Sequence, residues 1–263
     1  MSAQLRRVST VRDAYVEQWG SLQTWCQQLS DEEWSLPSVL GGWQVAHLVV
    51  HLALVADSVA AAAVVPSQEK ALTVAAYVAR YREVADHIDA RTRERGASSR
   101  SDVLADLGRT GHRAMVALST AGLRDDPVVA ARRGPIRWSD FMVTRCIELA
   151  VHTDDLARSV PEDRRPGLGQ GCLKVATRAL AEVLAERAPG RSVEVRVPPL
   201  AAVQCVAGPR HTRGTPAAVV QLDPVSFLQL AAGRLDWASA VGAGKIRASG
   251  QRADLSEWLP LLS

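Results

Sequence analysis

Two apolar helical stretches, far apart in the chain, each carry a pair of metal-ligating side chains. That pairing constrains the fold more than any other feature. One stretch reads His47-Leu-Val-Val-His51 and the other Glu148-Leu-Ala-Val-His152. In each, the two polar residues stand four positions apart. They therefore share one helical face, roughly 6 Å apart along the axis at about 1.5 Å per residue. Two such helices packed together bring a carboxylate and imidazoles to a common point inside a helical bundle. Three protein ligands with an open fourth position describe a catalytic zinc site rather than a structural one.

Glu148 is the residue that most needs an explanation. Its neighbours from Cys146 to His152 are apolar, and an unpaired buried carboxylate is costly. Arg145, three residues earlier, offers an ion pair along the helix. A metal shared with His51 compensates the charge and also accounts for the histidines. Four side chains compete for three positions. The expected ligand set is His51, Glu148 and His152, with His47 as a wall or supporting residue. Imidazole and carboxylate donors suit zinc, while nickel, iron and manganese are compatible with the same residues. A metal-bound histidine usually donates its other ring N–H to a partner. Asp155 is spaced to receive it from His152, or else is a solvated acid near the helix end. His87, His112 and His211 are read as ordinary hydrogen-bonded histidines.

With 263 residues the chain suffices for one large domain or two ordinary ones. Its 47% hydrophobic and 22% charged residues are globular values. Phe and Tyr are scarce, so Ala, Val and Leu must build the core. The net charge of +3 comes almost wholly from arginine, since the lysines are Lys70, Lys174 and Lys245 alone. The densest basic run, Arg91 to Arg100, contains Glu94 and no aromatic residue. A nucleic-acid partner is therefore not expected, and dispersed arginines better suit a small anionic molecule. The four cysteines form no Cys-x-x-Cys pair, which fits reduced thiols in a cytoplasmic protein. Met1 to Asp13 lacks the apolar stretch of a signal peptide. Val45 to Val65 is long enough to span a bilayer. Asp57 within it would cost about 2.5 to 3.5 kcal/mol there, so a helix buried in a bundle is expected instead of a membrane segment.

Val8, Tyr15, Leu22 and Leu29 recur at seven-residue spacing and predict a first helix over residues 4–29. Ser30-Asp31-Glu32-Glu33 reads as the cap and acidic first turn of a short helix. The long helix is expected from Trp43 to Pro66, a third from Leu72 to Arg93, and another capped by Ser101 that buries Leu104, Leu107, Met115 and Leu118. Asp125-Asp126-Pro127 and Gly134-Pro135 read as a connection, and Trp138 opens the helix of Glu148. These elements predict a four-helix bundle over residues 1–160. Pro161 to Gly167 reads as a linker. Beyond it come a helix from Gly169 to Arg187, then alternating Val193, Val195 and Val197. Strands follow over 203–206 and 218–222, joined by the turn-rich stretch from Gly208 to Gly214. Asp223-Pro224 starts a helix, and a short one closes the chain over Leu255 to Leu262. Residues 165–263 thus predict a small α+β domain.

Trp43 followed by His51, and then Arg145-x-x-Glu148-x-x-x-His152-x-x-Asp155, resembles the mycothiol-dependent maleylpyruvate isomerase family. That family belongs to the wider DinB-like group of metal-binding four-helix bundles. The C-terminal half resembles the sterol-carrier-like domain often joined to that bundle, and Leu230-Ala-Ala-Gly-Arg234 matches its Leu-x-x-Gly-Arg segment. The resemblance implies His51, Glu148 and His152 as zinc ligands. It also implies Arg234 as a catalytic arginine that faces the metal from the second domain and takes a substrate carboxylate. Arg145 then either touches the thiol cofactor or neutralises Glu148. The implied cofactors are zinc, or another divalent metal, and a low-molecular-weight thiol of the mycothiol type. The implied reaction is isomerisation of, or thiol transfer to, a small anionic electrophile. His47 stands where the family generally has no second histidine, and Asp154 where an aromatic residue is common. Two other readings are a lipid-binding protein acting through the sterol-carrier-like domain and a metal-dependent hydrolase that activates water.

Overall fold

A computed structural model describes residues 3–63, 65–96, 98–119, 125–208 and 218–262, and of residues 3–9 the backbone only. His211 and most of the turn-rich stretch around it lie outside the described residues, as does the side chain of Val8. The N-terminal part is helical and a small sheet-containing part follows. Helices α1 (Ala3–Gln27), α3 (Val45–Ala63), α6 (Arg100–Leu118) and α7 (Trp138–Ser159) pack on one another. Tyr15, Trp19, Leu22 and Cys26 of α1, together with Leu29, are buried in their common core, as the seven-residue recurrence predicts. α3 is long and apolar enough to cross a membrane, yet 67% of its most apolar stretch is buried against its neighbours.

Several local expectations change. α2 (Asp31–Ser35) does begin at Ser30, whose side chain and that of Glu33 each bond the other's backbone N–H. The cap of α6 is Ser99 rather than Ser101, because Ser99 Oγ accepts the Asp102 amide. In α6 Leu107 and Leu118 are buried, whereas Leu104 and Met115 are only partly covered. The helix expected over 72–93 is broken into α4 (Val74–Val78) and α5 (Tyr81–Gly96). Leu72 is not helical, since its amide bonds Pro135 O at 2.8 Å and it bridges to Ile136. The expected connection holds a hairpin, β1 (Val128–Ala131) and β2 (Gly134–Arg137), turned by Arg132 and Arg133. Segments around Pro66 and Leu72 pair with this hairpin, so it is clamped between the ends of α3 and α4.

The C-terminal sheet has the order β4-β3-β5-β6: β3 (Val193–Val197), β4 (Ala201–Cys205), β5 (Ala218–Leu222) and β6 (Ile246–Ser249). β3 runs antiparallel to β4 and parallel to β5, and β5 runs antiparallel to β6. In β3 the three valines are buried and Glu194 and Arg196 are not, as their alternation predicts. α9 (Pro224–Ala231) starts at Asp223, whose carboxylate accepts the amides of Val225 and Ser226. α10 (Trp237–Gly242) was not expected. Leu255 to Leu262 is not a helix beyond a single turn at Ser256–Trp258, since the amides of Leu261 and Leu262 both bond Ala231 O at the end of α9.

α8 (Gln170–Arg187) determines how the parts meet. It packs on α1 and α7 along one flank and on β4 and α9 along another. Gln18 of α1, fully buried, bonds Thr153 of α7, the Gly167 carbonyl and the Gly169 amide. α7 is thereby covered on nearly every side, and a helix buried all round must neutralise every charge it carries.

Candidate metal centre

α3 contributes His51, and α7 contributes Glu148 and His152. Glu148 Oε2 lies 3.5 Å from His51 Nε2 and 3.3 Å from His152 Nε2. The two imidazoles meet edge to face with centroids 4.5 Å apart. One ligand atom from each of the three buried residues lies within 4.8 Å of the others. Direct charge-assisted bonds are shorter, about 2.7 to 2.9 Å. A tetrahedral zinc with bonds of about 2.0 to 2.1 Å instead separates its ligand atoms by about 3.3 to 3.4 Å. The donor set and the two spacings to Glu148 are therefore compatible with a divalent transition metal such as zinc.

The surroundings fix each member. Asp155, completely buried, accepts from His152 Nδ1 at 3.0 Å. A carboxylate can only accept there, so Nδ1 carries a proton, and Nε2 would ligate a metal once its own proton is displaced. Burial pulls the His152 pKa down, but Asp155 and Glu148 outweigh it and push it up to about 9. For Asp155 burial raises the pKa, and the bonds from His152 and Arg234 hold it down at about 2. Burial and the neighbouring His152 depress His51, against the pull of Glu148. Burial also opposes the Glu148 charge, yet hydrogen bonds from His152 and His51 and the Arg145 guanidinium keep its pKa well below the usual carboxylate range.

Arg145 lies 3.5 Å from Glu148 Oε1, bonds Ser58 and Thr144, and rests over the Phe141 ring. Arg234 comes from the turn after α9 and lines a cavity with all three candidate ligands. Its Nε and Nη2 bind Asp155 at 2.9 and 3.1 Å and its Nη1 bonds Ala232 O at 2.8 Å. The expected two-pronged grip on a substrate carboxylate is therefore taken by Asp155. His47 is not among the described lining residues of either cavity at this centre. Its Nδ1 accepts the Gln44 amide at 3.0 Å, and its ring would meet a Cβ on Gly96 at 3.0 Å. The Trp43 ring stands near both His47 and His51, with centroids 6.4 and 5.7 Å away. Asp154 is bonded by Gln229 of α9 at 2.9 Å.

Two residues at the centre escaped the sequence reading. Tyr81 Oη donates to Glu148 Oε1 at 2.5 Å. Arg133, in the hairpin turn, lies 3.5 Å from the same oxygen and packs on the rings of Tyr77 and Tyr81, 4.6 and 3.6 Å from their centroids. The sole hint was the need of Glu148 for positive charge, which does not say where that charge comes from.

Two cavities share His51, Ile88 and Glu148 as a common wall. The larger, about 340 Å³, also touches Trp43, Asp89, His152 and Arg234 at the junction with the C-terminal part. The smaller, about 290 Å³, lies between α3, α5, α7 and the hairpin.

Residues 15–157, more than half of the chain, match the family model described as the mycothiol maleylpyruvate isomerase N-terminal domain. Residues 170–261 match one described as a bacterial SCP ortholog. Two solved structures resemble the chain along its length: the mycothiol-dependent maleylpyruvate isomerase and a histidine-to-alanine mutant of it. Each superposes with a TM-score of 0.57 at 14% identity, over 97% of this chain and 95% of that chain. At this identity the likeness speaks for the fold. No curated protein matches the sequence significantly.

Proposed function

The chain belongs to the mycothiol maleylpyruvate isomerase N-terminal domain family, and from that premise we propose that it is a metal-dependent isomerase using a low-molecular-weight thiol, of the mycothiol type, on a small electrophilic substrate. The observation that carries this reading is the meeting of His51, Glu148 and His152 at spacings of 3.3 and 3.5 Å on the wall of two cavities. His51, Glu148 and His152 would hold a zinc ion, which would supply the acidity that keeps a thiol of ordinary pKa near 8.5 as a thiolate at neutral pH. Bound there, such a thiolate would supply a nucleophile able to add reversibly to a conjugated double bond and so let that bond rotate.

The protein's own contribution is to hold that chemistry in place. With metal bound, His51 and His152 would serve as neutral nitrogen donors, His152 giving up its Nε2 proton, and Glu148 would bring one negative charge. Asp155 fixes the His152 tautomer, and Arg234 fixes Asp155, so the C-terminal part (165–263) orients a ligand carried by the bundle (1–160). Arg234 is thus a positioning residue. Tyr81 engages Glu148 Oε1 and leaves Oε2 turned toward the two imidazoles. Four buried, unpaired cysteines suit a reducing, cytoplasmic setting.

The test is elemental analysis joined to a thiol-dependence assay. Purified protein should hold close to one transition metal per chain, and His51→Ala and His152→Ala should abolish both the metal and thiol-dependent isomerisation. A folded protein that never retains metal, or turnover indifferent to added thiol, would overturn the reading.

A further inference from the structure

The smaller cavity is rich in arginine. Arg91, Arg132, Arg133 and Arg145 line it, and among its described lining residues Glu148 is the sole acid. Arg133 and Arg145 are only 6% and 5% exposed, and Arg133 Nη1 and Arg145 Nη2 have no hydrogen-bond partner. Each guanidinium stands 3.5 Å from Glu148 Oε1, beyond the usual range of about 2.7 to 3.2 Å, and Tyr81 donates to the same oxygen. Partial burial and the charges of Arg91 and Arg133 also pull the Arg132 guanidinium down. Buried charge without full pairing is costly. The two deepest cations are nonetheless held firmly, Arg133 on two tyrosine rings and Arg145 by Ser58 and Thr144.

The rest of the lining is mostly apolar, with Leu54, Val55, Val84, Ile88 and Phe141. A volume of about 290 Å³ lies at the lower end for small-molecule sites, roughly 300 to 1,000 Å³. The ligand it fits is compact, apolar in body and anionic at one end. Arg234, the other arginine at the centre, has its fork filled by Asp155.

We propose that this cavity is a carboxylate subsite, in which the guanidinium groups of Arg133 and Arg145 in its wall attract the carboxylate of a compact acid. A planar fork of donors matches a carboxylate. The proposal rests on the thiol-isomerase reading only in taking that acid to be the electrophilic substrate, which then reaches the metal centre from the opposite side to Arg234.

Calorimetric titration of benzoate and of benzamide, a neutral molecule of the same shape, into the full chain tests the subsite, with zinc loaded and with zinc stripped. Benzoate should bind at least tenfold more tightly than benzamide in both forms. Arg133→Gln and Arg145→Gln should each erase most of that preference while leaving benzamide binding unchanged. Ala61→Trp, at the exposed mouth of the cavity, should weaken both ligands without altering any charge. Equal binding of the two probes, a preference that survives Arg133→Gln, or an unaltered affinity in Ala61→Trp would overturn the proposal. Benzoate binding that vanishes on zinc removal would also overturn it, since the anion would then belong to the metal, while the isomerase reading stands. Arg133-dependent benzoate binding in a protein that never takes up zinc would uphold the subsite and sink the isomerase reading instead.

Discussion

Tyr81 Oη lies 2.5 Å from Glu148 Oε1, on the side of the carboxylate away from the two histidines. A residue of α5 thus selects which oxygen of an α7 acid remains for a metal. Removing partners that orient ligands typically costs 10- to 100-fold in metal affinity. Tyr81→Phe should weaken zinc binding about tenfold with little change in circular dichroism, as read by competition against a chromogenic chelator. Unchanged affinity would show that the arginines alone orient the acid.

Asp155→Asn should weaken zinc more, roughly 10- to 100-fold, because it removes both the anchor of the His152 tautomer and the counter-charge of Arg234. Arg234→Ala should have a smaller effect in the same direction, since Arg158 still approaches Asp155 at 3.4 Å. The same chelator competition ranks the two. An Arg234→Ala loss equal to that of Asp155→Asn would mean that Asp155 cannot hold its place alone.

Glu33 ties the start of α2 to the segment after α7 through Arg164 at 2.5 Å. That bond, aided by the Ser30 amide, holds the Glu33 pKa down from 4.5 to about 2. A depressed carboxylate stabilises the fold fully above its unfolded pKa and loses that effect as the pH falls through its folded value. Glu33→Gln should therefore be less stable than the parent by about 1 kcal/mol at pH 6. The gap should close between pH 4.5 and about 2, as measured by urea unfolding across that range. A gap independent of pH would assign the stabilisation to packing.

Gly111 faces Trp19 so closely that a Cβ would lie 2.5 Å from its indole nitrogen. Alanine at a helical glycine ordinarily gains about 1 kcal/mol, but overpacking a core costs about 1 to 3 kcal/mol. Gly111→Ala should lower the melting temperature, with the Trp19 fluorescence altered. A rise in melting temperature would show that the α1–α6 contact yields at little cost.

What could be read from the chain was what depends on neighbours in sequence. The spacing of Glu148 and His152, the alternation of Val193, Val195 and Val197, and the caps at Ser30 and Asp223 are local, and the fold uses each as its chemistry suggests. Arg133 and Tyr81 were invisible for the opposite reason. The turn Arg132-Arg133 lacks the Asn-Gly signature of a two-residue hairpin, so nothing announced that it would carry a guanidinium to Glu148. The break between α4 and α5 has no proline or glycine to mark it. It follows from Leu72 being pinned to the hairpin, which is a tertiary fact. Arg234 was found by resemblance, but its engagement by Asp155 needed coordinates.

α8 has a consequence for the chain as a whole. The helix belongs at once to the layer beneath α7 and to the layer above the sheet, with Cys172, Ala176, Leu180 and Leu184 all buried. Cutting the polypeptide between Pro161 and Gly169 would bare an oily flank of α1 and α7 on the first fragment and the matching flank of α8 on the second. The two halves of the sequence should therefore melt as one unit. A scanning calorimeter should record a single endotherm, and a fragment ending at Val160 should precipitate instead of refolding.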